Sequence, residues 1–225
     1  MKKINLIVLL IITAVSVNAQ RIVEKQVSAK STTDLDLNLE FADSIRIKQS
    51  MDNSVHIKAT VNINDNQNND KYELITNENG DNITIKAKIH DMNSIRIPCN
   101  NRKGNSYNYD GKCLTMDIYY EIEVPSIANL KIKTISGDII IEKGIYPMYL
   151  ESISGFIDLY VPSKADADIS VNTVTGGVYS NIDINKSNSN LDSSPGGTDG
   201  TIRLNNGGNR IKLHTVSGDI YIRKI

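Results

Sequence analysis

Tryptophan is absent from these 225 residues and phenylalanine occurs only at Phe41 and Phe156, so a core built on bulky aromatic rings is excluded. Ile, Val and Leu must fill it instead, and they are strand formers that suit a pleated, half-buried surface. An excess of one charge is lacking as well, with 25 Lys and Arg against 26 Asp and Glu. That balance is neither the basic footprint of a nucleic-acid binder nor a basic membrane-surface helix. Beyond the N-terminus no apolar run approaches the ~20 residues that cross a bilayer as a helix. No catalytic constellation stands out, and helical periodicity is almost missing.

What is there begins at the N-terminus, where "MKK" precedes "INLIVLLIITAVSV" and then "NAQ". A charged start, a short apolar run and small residues at Val17 and Ala19 have the form of a secretory signal peptide. Cleavage is expected after Ala19, which leaves 206 residues with 23 basic and 26 acidic side chains, a net charge of −3. No cysteine follows the cleavage site, which disfavours an acyl-anchored lipoprotein. The expectation is an exported protein, in the periplasm, at the cell surface or in the medium, with no membrane span after cleavage.

The two cysteines, Cys99 and Cys113, bracket the polar stretch "NNRKGNSYNYDGK". In an exported chain this spacing reads as a disulfide closing a loop. Two free thiols or a metal pair are the rival, although no His or third Cys lies nearby to complete a zinc site.

Period-two alternation runs through most of the chain. Leu35, Leu37, Leu39 and Phe41 alternate with polar residues, as do Val55 to Ile63, Ile83 to Ile89 and Met116 to Val124. Each run fits a half-buried β-strand, and "NDNQNND" and "TNENGDN" between them have turn composition, with Gly80 free to take positive φ. Residues 20–125 therefore read as longer strands joined by polar loops, with antiparallel pairing open to them.

Residues 126–225 change character and repeat themselves. "LKIKTISGDIII", "MYLESISGFIDL", "ISVNTVTGGVYS" and "IKLHTVSGDIYI" align, with a degenerate copy at "GTDGTIRL". The aligned glycines are Gly137, Gly155, Gly176, Gly200 and Gly218, spaced 18, 21, 24 and 18 residues apart. In each clear copy the alternation slips by one between the Thr or Ser and the next aliphatic residue, at Thr134 and Ile135 for example. A slip in a straight strand would turn half the unit inside out. A corner at the slip keeps both halves on one core, and glycine there either takes a special backbone angle or admits a neighbouring coil. The fold class expected is all-β, with stacked parallel β-solenoid or β-helix-like repeats in the C-terminal half. One continuous elongated domain follows the signal segment 1–19. The repeated hydroxyls would form a ladder along the corners.

The segments "YEIEVPSIANLKIKTISGDIIIEKG", "SISGFIDLYVP", "ISVNTVTGGVYS" and "TVSGDIYIRK" resemble the bacterial putative-adhesin family of exported envelope β-repeat proteins. The resemblance spans roughly 45–225 and is specific from Ile118 onward. It implies a β-solenoid-like fold with Ser-Gly pairs at the corners and an envelope location, and it supplies no catalytic residues. The cysteine loop and the insertion "NKSNSNLDSSPGG" depart from the pattern, so individual specificity would lie there.

Candidate chemistry is thin. A Ser-Gly-Asp nucleophile needs a base, and catalysis does not come in five copies. His56, His90 and His214 lie far apart in sequence and read as solvent-facing strand residues. Asp166, Asp168, Asp183 and Asp192 offer oxygen ligands for calcium but match no dedicated loop, so solvated turns are the preferred reading. Asp138, Asp158 and Asp219 hold no common place in the repeats, and no glycosidase pair can be named. The binding candidates are Tyr107 and Tyr109 in the cysteine loop, with Tyr119, Tyr179 and Tyr221 pointed outward by parity. Their alternative role is as ordinary strand aromatics. The function expected is a binding module, an adhesin facing a glycan or a protein, with no cofactor and no nucleic acid. A periplasmic regulatory or envelope-stress protein is the alternative, and a polysaccharide-acting enzyme the third.

Overall fold

The computed structural model describes residues 20–99, 106–143, 146–183 and 189–225. The signal-like segment 1–19, part of the cysteine loop and the start of the "NKSNSNLDSSPGG" insertion lie outside the described residues. The N-terminal half carries β1 (Arg21–Ser28), β2 (Asp34–Asn38), β3 (Ser44–Gln49), β4 (Ser54–Ile63), β5 (Tyr72–Asn79), β6 (Asn82–Ile89), β7 (Ile97–Pro98), β8 (Ser106–Tyr109) and β9 (Lys112–Val124). After Pro125 come β10 (Asn129–Thr134), β11 (Asp138–Ile141), β12 (Met148–Ser152), β13 (Ile157–Val161), β14 (Ala167–Thr173) and β15 (Val178–Ser180). The chain ends with β16 (Ser189–Ser194), β17 (Gly197–Leu204), β18 (Asn209–Thr215) and β19 (Ile220–Lys224). Among the described residues the only helical piece is a single 3-10 turn at Asn69–Lys71.

Alternation translates directly into burial. In β4, Val55, Ile57, Ala59, Val61 and Ile63 are buried and the residues between them are not. The strands form two mixed sheets whose inner faces share one core of Ile, Leu and Val. One has ten strands and runs β1-β4-β9-β3-β11-β13-β19-β15, with β7 and β8 attached to β9; the other has nine and runs β16-β17-β14-β18-β12-β10-β2-β6-β5.

Each repeat crosses from one sheet to the other at its corner. β10, β12, β14 and β18 lie in the nine-stranded sheet, and β11, β13, β15 and β19, which follow them across a Ser-Gly or Thr-Gly corner, lie in the ten-stranded one. β2 and β3, which alternation alone reads as longer strands, make a further unit of this kind, with Ala42 at the glycine position. The units are parallel and in register: Leu130 faces Leu35 and Met148, and Ile157 faces Ile139 and Ile220. Their order in space differs from their order in sequence. The β18–β19 unit lies between β12–β13 and β14–β15, so the sequentially wound parallel solenoid expected from the repeats is replaced by mixed sheets with an inserted final unit. The physical cause is the β17 strand, which pairs antiparallel to β14 and so brings the chain back to the start of β14 on its outer side. A short loop then crosses beneath β14 and releases β18 on the other side.

The corners explain the repeated phrase. A Cβ on Gly155 would stand 2.1 Å from the Gly137 carbonyl oxygen, one on Gly218 would stand 2.0 Å from that of Gly155, and one on Gly176 would stand 2.1 Å from that of Gly218. Glycine is required here because adjacent backbones touch, not because of unusual dihedral angles. The hydroxyls bond to corner backbone instead of to each other. Ser152 Oγ donates to Gly137 O at 2.8 Å and accepts from Gly155 N at 2.9 Å, and Thr173 Oγ1 does the same with Gly218 O and Gly176 N. The aspartate after the glycine serves the next unit: Asp138 accepts from Phe156 N and Asp219 from Gly177 N. Ile135, Ile153 and Val174, read from parity as inward, stand exposed on the outside of the bend, because the chain turns before its alternation resumes at Ile139 and Ile157. Gly200 is no corner: it sits inside β17 at φ +153°, where a Cβ would stand 2.1 Å from Asn190 O of β16. The "GTDGTIRL" copy is thus a hairpin strand that shares composition with the corners but not their crossing between sheets.

Three of the four sheet edges are antiparallel, the exception being β15, which runs parallel to β19. β1 and β9 flank β4, β5 closes the other sheet on β6, and β16 closes it at the far end on β17. Here single contacts do the joining. Cys99 and Cys113 form a disulfide that ties the end of β7 to β9. Tyr72 on β5 and Tyr120 on β9 share a buried hydrogen bond of 2.9 Å across the core. Buried Asn64, at φ +50° in "NDNQNND", donates to Ile95 O and accepts from Thr115 N.

Candidate binding site on the ten-stranded sheet

Alternation sends every second residue of the ten-stranded sheet outward, and the parallel register lines those residues up across strands. Three positions after the corner glycine stand Ile140, Asp158, Tyr179 and Tyr221. Because β19 lies between β13 and β15, Tyr221 is in register with Asp158 on one side and Tyr179 on the other. The same register sets Arg223 beside Tyr160.

These side chains form one cluster. The Tyr179 and Tyr221 rings stack with centroids 5.4 Å apart and planes 21° apart, and Phe156 meets Tyr221 edge-on at 5.9 Å. Arg223 Nε donates to both carboxylate oxygens of Asp158, at 2.7 and 3.0 Å. That bond, with the Asp158 charge, raises the guanidinium pKa. The guanidinium carbon lies 5.1 Å from the Tyr221 centroid and 5.9 Å from that of Tyr160, within cation–π range. Tyr221 hydroxyl donates to Asp219 at 3.2 Å. Desolvation raises its pKa, and that bond to the Asp219 carboxylate adds to the rise, so the phenol is held neutral as a donor. Tyr179 remains 54% exposed, which leaves an aromatic surface open beside a fixed guanidinium. Such a surface stacks on apolar ring faces and offers polar groups at its border.

Tyr119 is exposed on the same side, but β9 lies four strands from β19, so it stands apart from the pair. Tyr107 and Tyr109 fall on β8, and their side chains lie outside the described residues. Phe156, Tyr160 and Arg223 were missed by sequence reasoning, which weighed Asp158 only as a glycosidase carboxylate. Their signal was available, since the repeat alignment already places Tyr160 and Arg223 at equivalent positions.

The other candidates are tied up structurally. Asp158 holds Arg223, while Asp138 and Asp219 cap backbone of neighbouring units. Burial raises the pKa of Asp138, against the lowering effect of the Phe156 N–H. Asp166 and Asp168 hold the loop that crosses beneath β14, accepting from Asn206 N and Gly208 N. His56 bonds Asp52 and His90 bonds Glu73 at the surface. Asp192 faces Asp199 across β16 and β17. Among the described residues no group of three or more His, Cys, Asp or Glu is placed to hold a metal ion, and no helix is long and apolar enough to cross a membrane.

No family model matches the chain, and no curated protein matches it. Among solved structures it is similar to a putative cell adhesion protein from Clostridium sporogenes, at 12% identity with a TM-score of 0.53, covering 92% of this chain and 100% of the other. A putative adhesin from Bacteroides fragilis aligns at 12% identity over 92% of this chain and 99% of the other, with a TM-score of 0.38. One from Parabacteroides merdae aligns at 11% identity over 63% and 49%, with a TM-score of 0.35. The first of these establishes a shared fold.

Proposed function

We propose that this protein is an exported envelope binding module of the adhesin type, and that it presents the Tyr179–Tyr221 face to a glycan or a protein. The observation that carries the reading is the stacked, open tyrosine pair with Arg223 anchored beside it. An exposed aromatic pair held by its own ion pair is a pre-organised surface, which lowers the ordering cost of binding. Parallel units in register provide a rigid base for it. The disulfide fits an oxidising compartment, and the signal-like N-terminus supplies a route there. The name of the Clostridium protein belongs to that protein and lends support through the shared fold.

The test has two arms. Protease accessibility of the tagged protein on intact cells, with fractionation of periplasm, membrane and medium, reports its location. Digestion on the cells or recovery in the medium supports adhesion, and full protection in the periplasm moves the reading to an envelope interaction protein. Glycan and matrix-protein arrays probed with residues 20–225 and with Tyr179→Ala report the site. Binding weakened about tenfold or more in the variant, as expected for an aromatic hot spot, supports the face; undiminished binding sinks it.

A further inference from the structure

The outer face of the nine-stranded sheet carries a groove of different chemistry. It lies open at the N-terminal ends of β10, β12 and β18, with a volume of about 680 Å³. Its volume falls in the range of ligand sites. Lys131, Tyr149, Arg210 and Lys212 line it, together with Asn129 and Asn209, and no carboxylate does. Three of its lining residues are basic, and one of them, Lys131, is paired with Asp36, which leaves Arg210 and Lys212 as its unneutralised cations among the described residues.

The register fixes how these groups are presented. Lys131, Tyr149 and Lys212 are direct neighbours on three adjacent parallel strands, so they share one outward row, and the Lys133 ammonium lies 5.7 Å from the Tyr149 ring centroid. Strand spacing puts the two lysine positions about 10 Å apart, and Arg210 lies two residues from Lys212 on the same face of β18. Lys131 is bonded to Asp36 at 2.6 Å, which anchors it. Arg210 and Lys212 make no ion pair among the described residues. Tyr149 is held from behind, its hydroxyl donating to Glu151 at 2.9 Å while Lys133 binds the same carboxylate at 2.6 Å. The ring is therefore fixed in position, and Arg210 and Lys212 are the groove cations placed to meet an anion.

We propose that this groove binds an acidic polysaccharide, with a sugar ring against Tyr149 and its acid groups on Arg210 and Lys212. Cations beside a fixed aromatic ring match a ligand that alternates anionic substituents with flat, partly apolar ring faces. A row two strand spacings long suits an extended polymer better than a single small ion. The site is separate from the tyrosine face of the other sheet, and neither depends on the other being correct.

Polygalacturonate, dextran sulfate and neutral dextran are the probes, titrated into the disulfide-bonded protein of residues 20–225 at low and high salt. Binding of polygalacturonate or dextran sulfate, absent for neutral dextran and weakened tenfold or more in Arg210→Gln/Lys212→Gln, is expected. Whichever anionic polymer binds identifies the acid group as carboxylate or sulfate. The control Lys86→Gln/Lys88→Gln removes the same charge from β6 and should retain binding, as should Tyr179→Ala. No binding of either anionic polymer, equal binding of neutral dextran, or equal weakening by the control pair would overturn the proposal. Circular dichroism of both double variants checks that each is folded; the substituted positions are exposed, so both should match the parent.

Discussion

The five corner units in the middle of the molecule and the antiparallel strands at its margins bury the same Ile, Val and Leu side chains, yet they are joined by different means. In the middle the joints repeat: glycine against a neighbouring carbonyl, hydroxyl against corner backbone and, after Gly137 and Gly218, aspartate against the next unit's N–H. At the margins each joint occurs once, as a disulfide, a tyrosine pair or a buried asparagine. Repetition needs close approach and so tolerates no added atom. A single contact leaves room around it and fails only when its own partner is removed.

Adding one methyl group is the strongest test of that difference. Gly155→Ala would set its Cβ 2.1 Å from Gly137 O and 2.5 Å from Gly137 C, and also 2.8 Å from Ser152 Oγ. Two of these atoms are backbone inside a stack and cannot swing aside, so a loss of roughly 3 kcal/mol or more is expected. Gly80→Ala at the β5–β6 hairpin meets no atom within 4 Å and carries only the strain of φ +62°, worth about 1–2 kcal/mol. Urea midpoints of the two variants at constant slope decide the matter. Equal losses would show that the corners can spread and that the contact between units is not close-packed.

Removing the cross-link tests the margin. Cys99→Ser/Cys113→Ser opens a loop with a sequence separation of 14, for which chain entropy predicts a loss of about 3 kcal/mol in the upper case. Hydrogen exchange should show the loss of protection concentrated in β7 and the start of β9, with the corner amides near Gly155 and Gly218 retaining theirs. Loss of protection spread evenly over the corners would mean that the disulfide supports the stack as well, and the two regions would no longer be distinct.

The sequence made the units legible but not their arrangement. Period-two alternation marked β4, β6 and β9, and the slip at Thr134 or Thr215 marked a corner, because side-chain direction is a local property of the backbone. Which unit lies beside which depends on the β16–β17 excursion, and nothing in "LKIKT" or "IKLHT" encodes that neighbour. The same gap hid the binding face. Tyr179 and Tyr221 read as outward, but they lie 42 residues apart and meet only because β19 is inserted beside β15. Gly200 misled for a related reason: a glycine between hydroxyl-bearing residues and an aliphatic strand has the corner's composition, whether backbone approaches from a stacked unit or from a hairpin partner. Ala42 hid the β2–β3 unit in the opposite way, since the terminal position of a glycine column has a neighbour on one side only.

The smallest effect concerns the tyrosine bridge between the sheets at the margin. Tyr72→Phe keeps the ring and removes one hydroxyl, leaving that of Tyr120 without its 2.9 Å partner in the core, and should destabilise by about 1–2 kcal/mol at neutral pH. The pH dependence supplies a second readout. Burial raises the pKa of both phenols, and for Tyr120 the neighbouring Tyr72 adds to the rise. A pKa raised on folding gives stability that is fully present below the unfolded value, about 10 for tyrosine, and is lost as pH climbs beyond it toward the folded value. Buried Tyr146, whose hydroxyl has no hydrogen-bond partner among the described residues and whose pKa is raised by burial, contributes in the same direction. Tyr72→Phe removes one of these titrating groups, so its stability should fall less steeply than that of the parent above pH ~10, and the gap between the two should narrow. A gap that stays constant into alkaline solution would mean that the phenols do not sense folding, and the bridge would then be a packing contact like any other in the core.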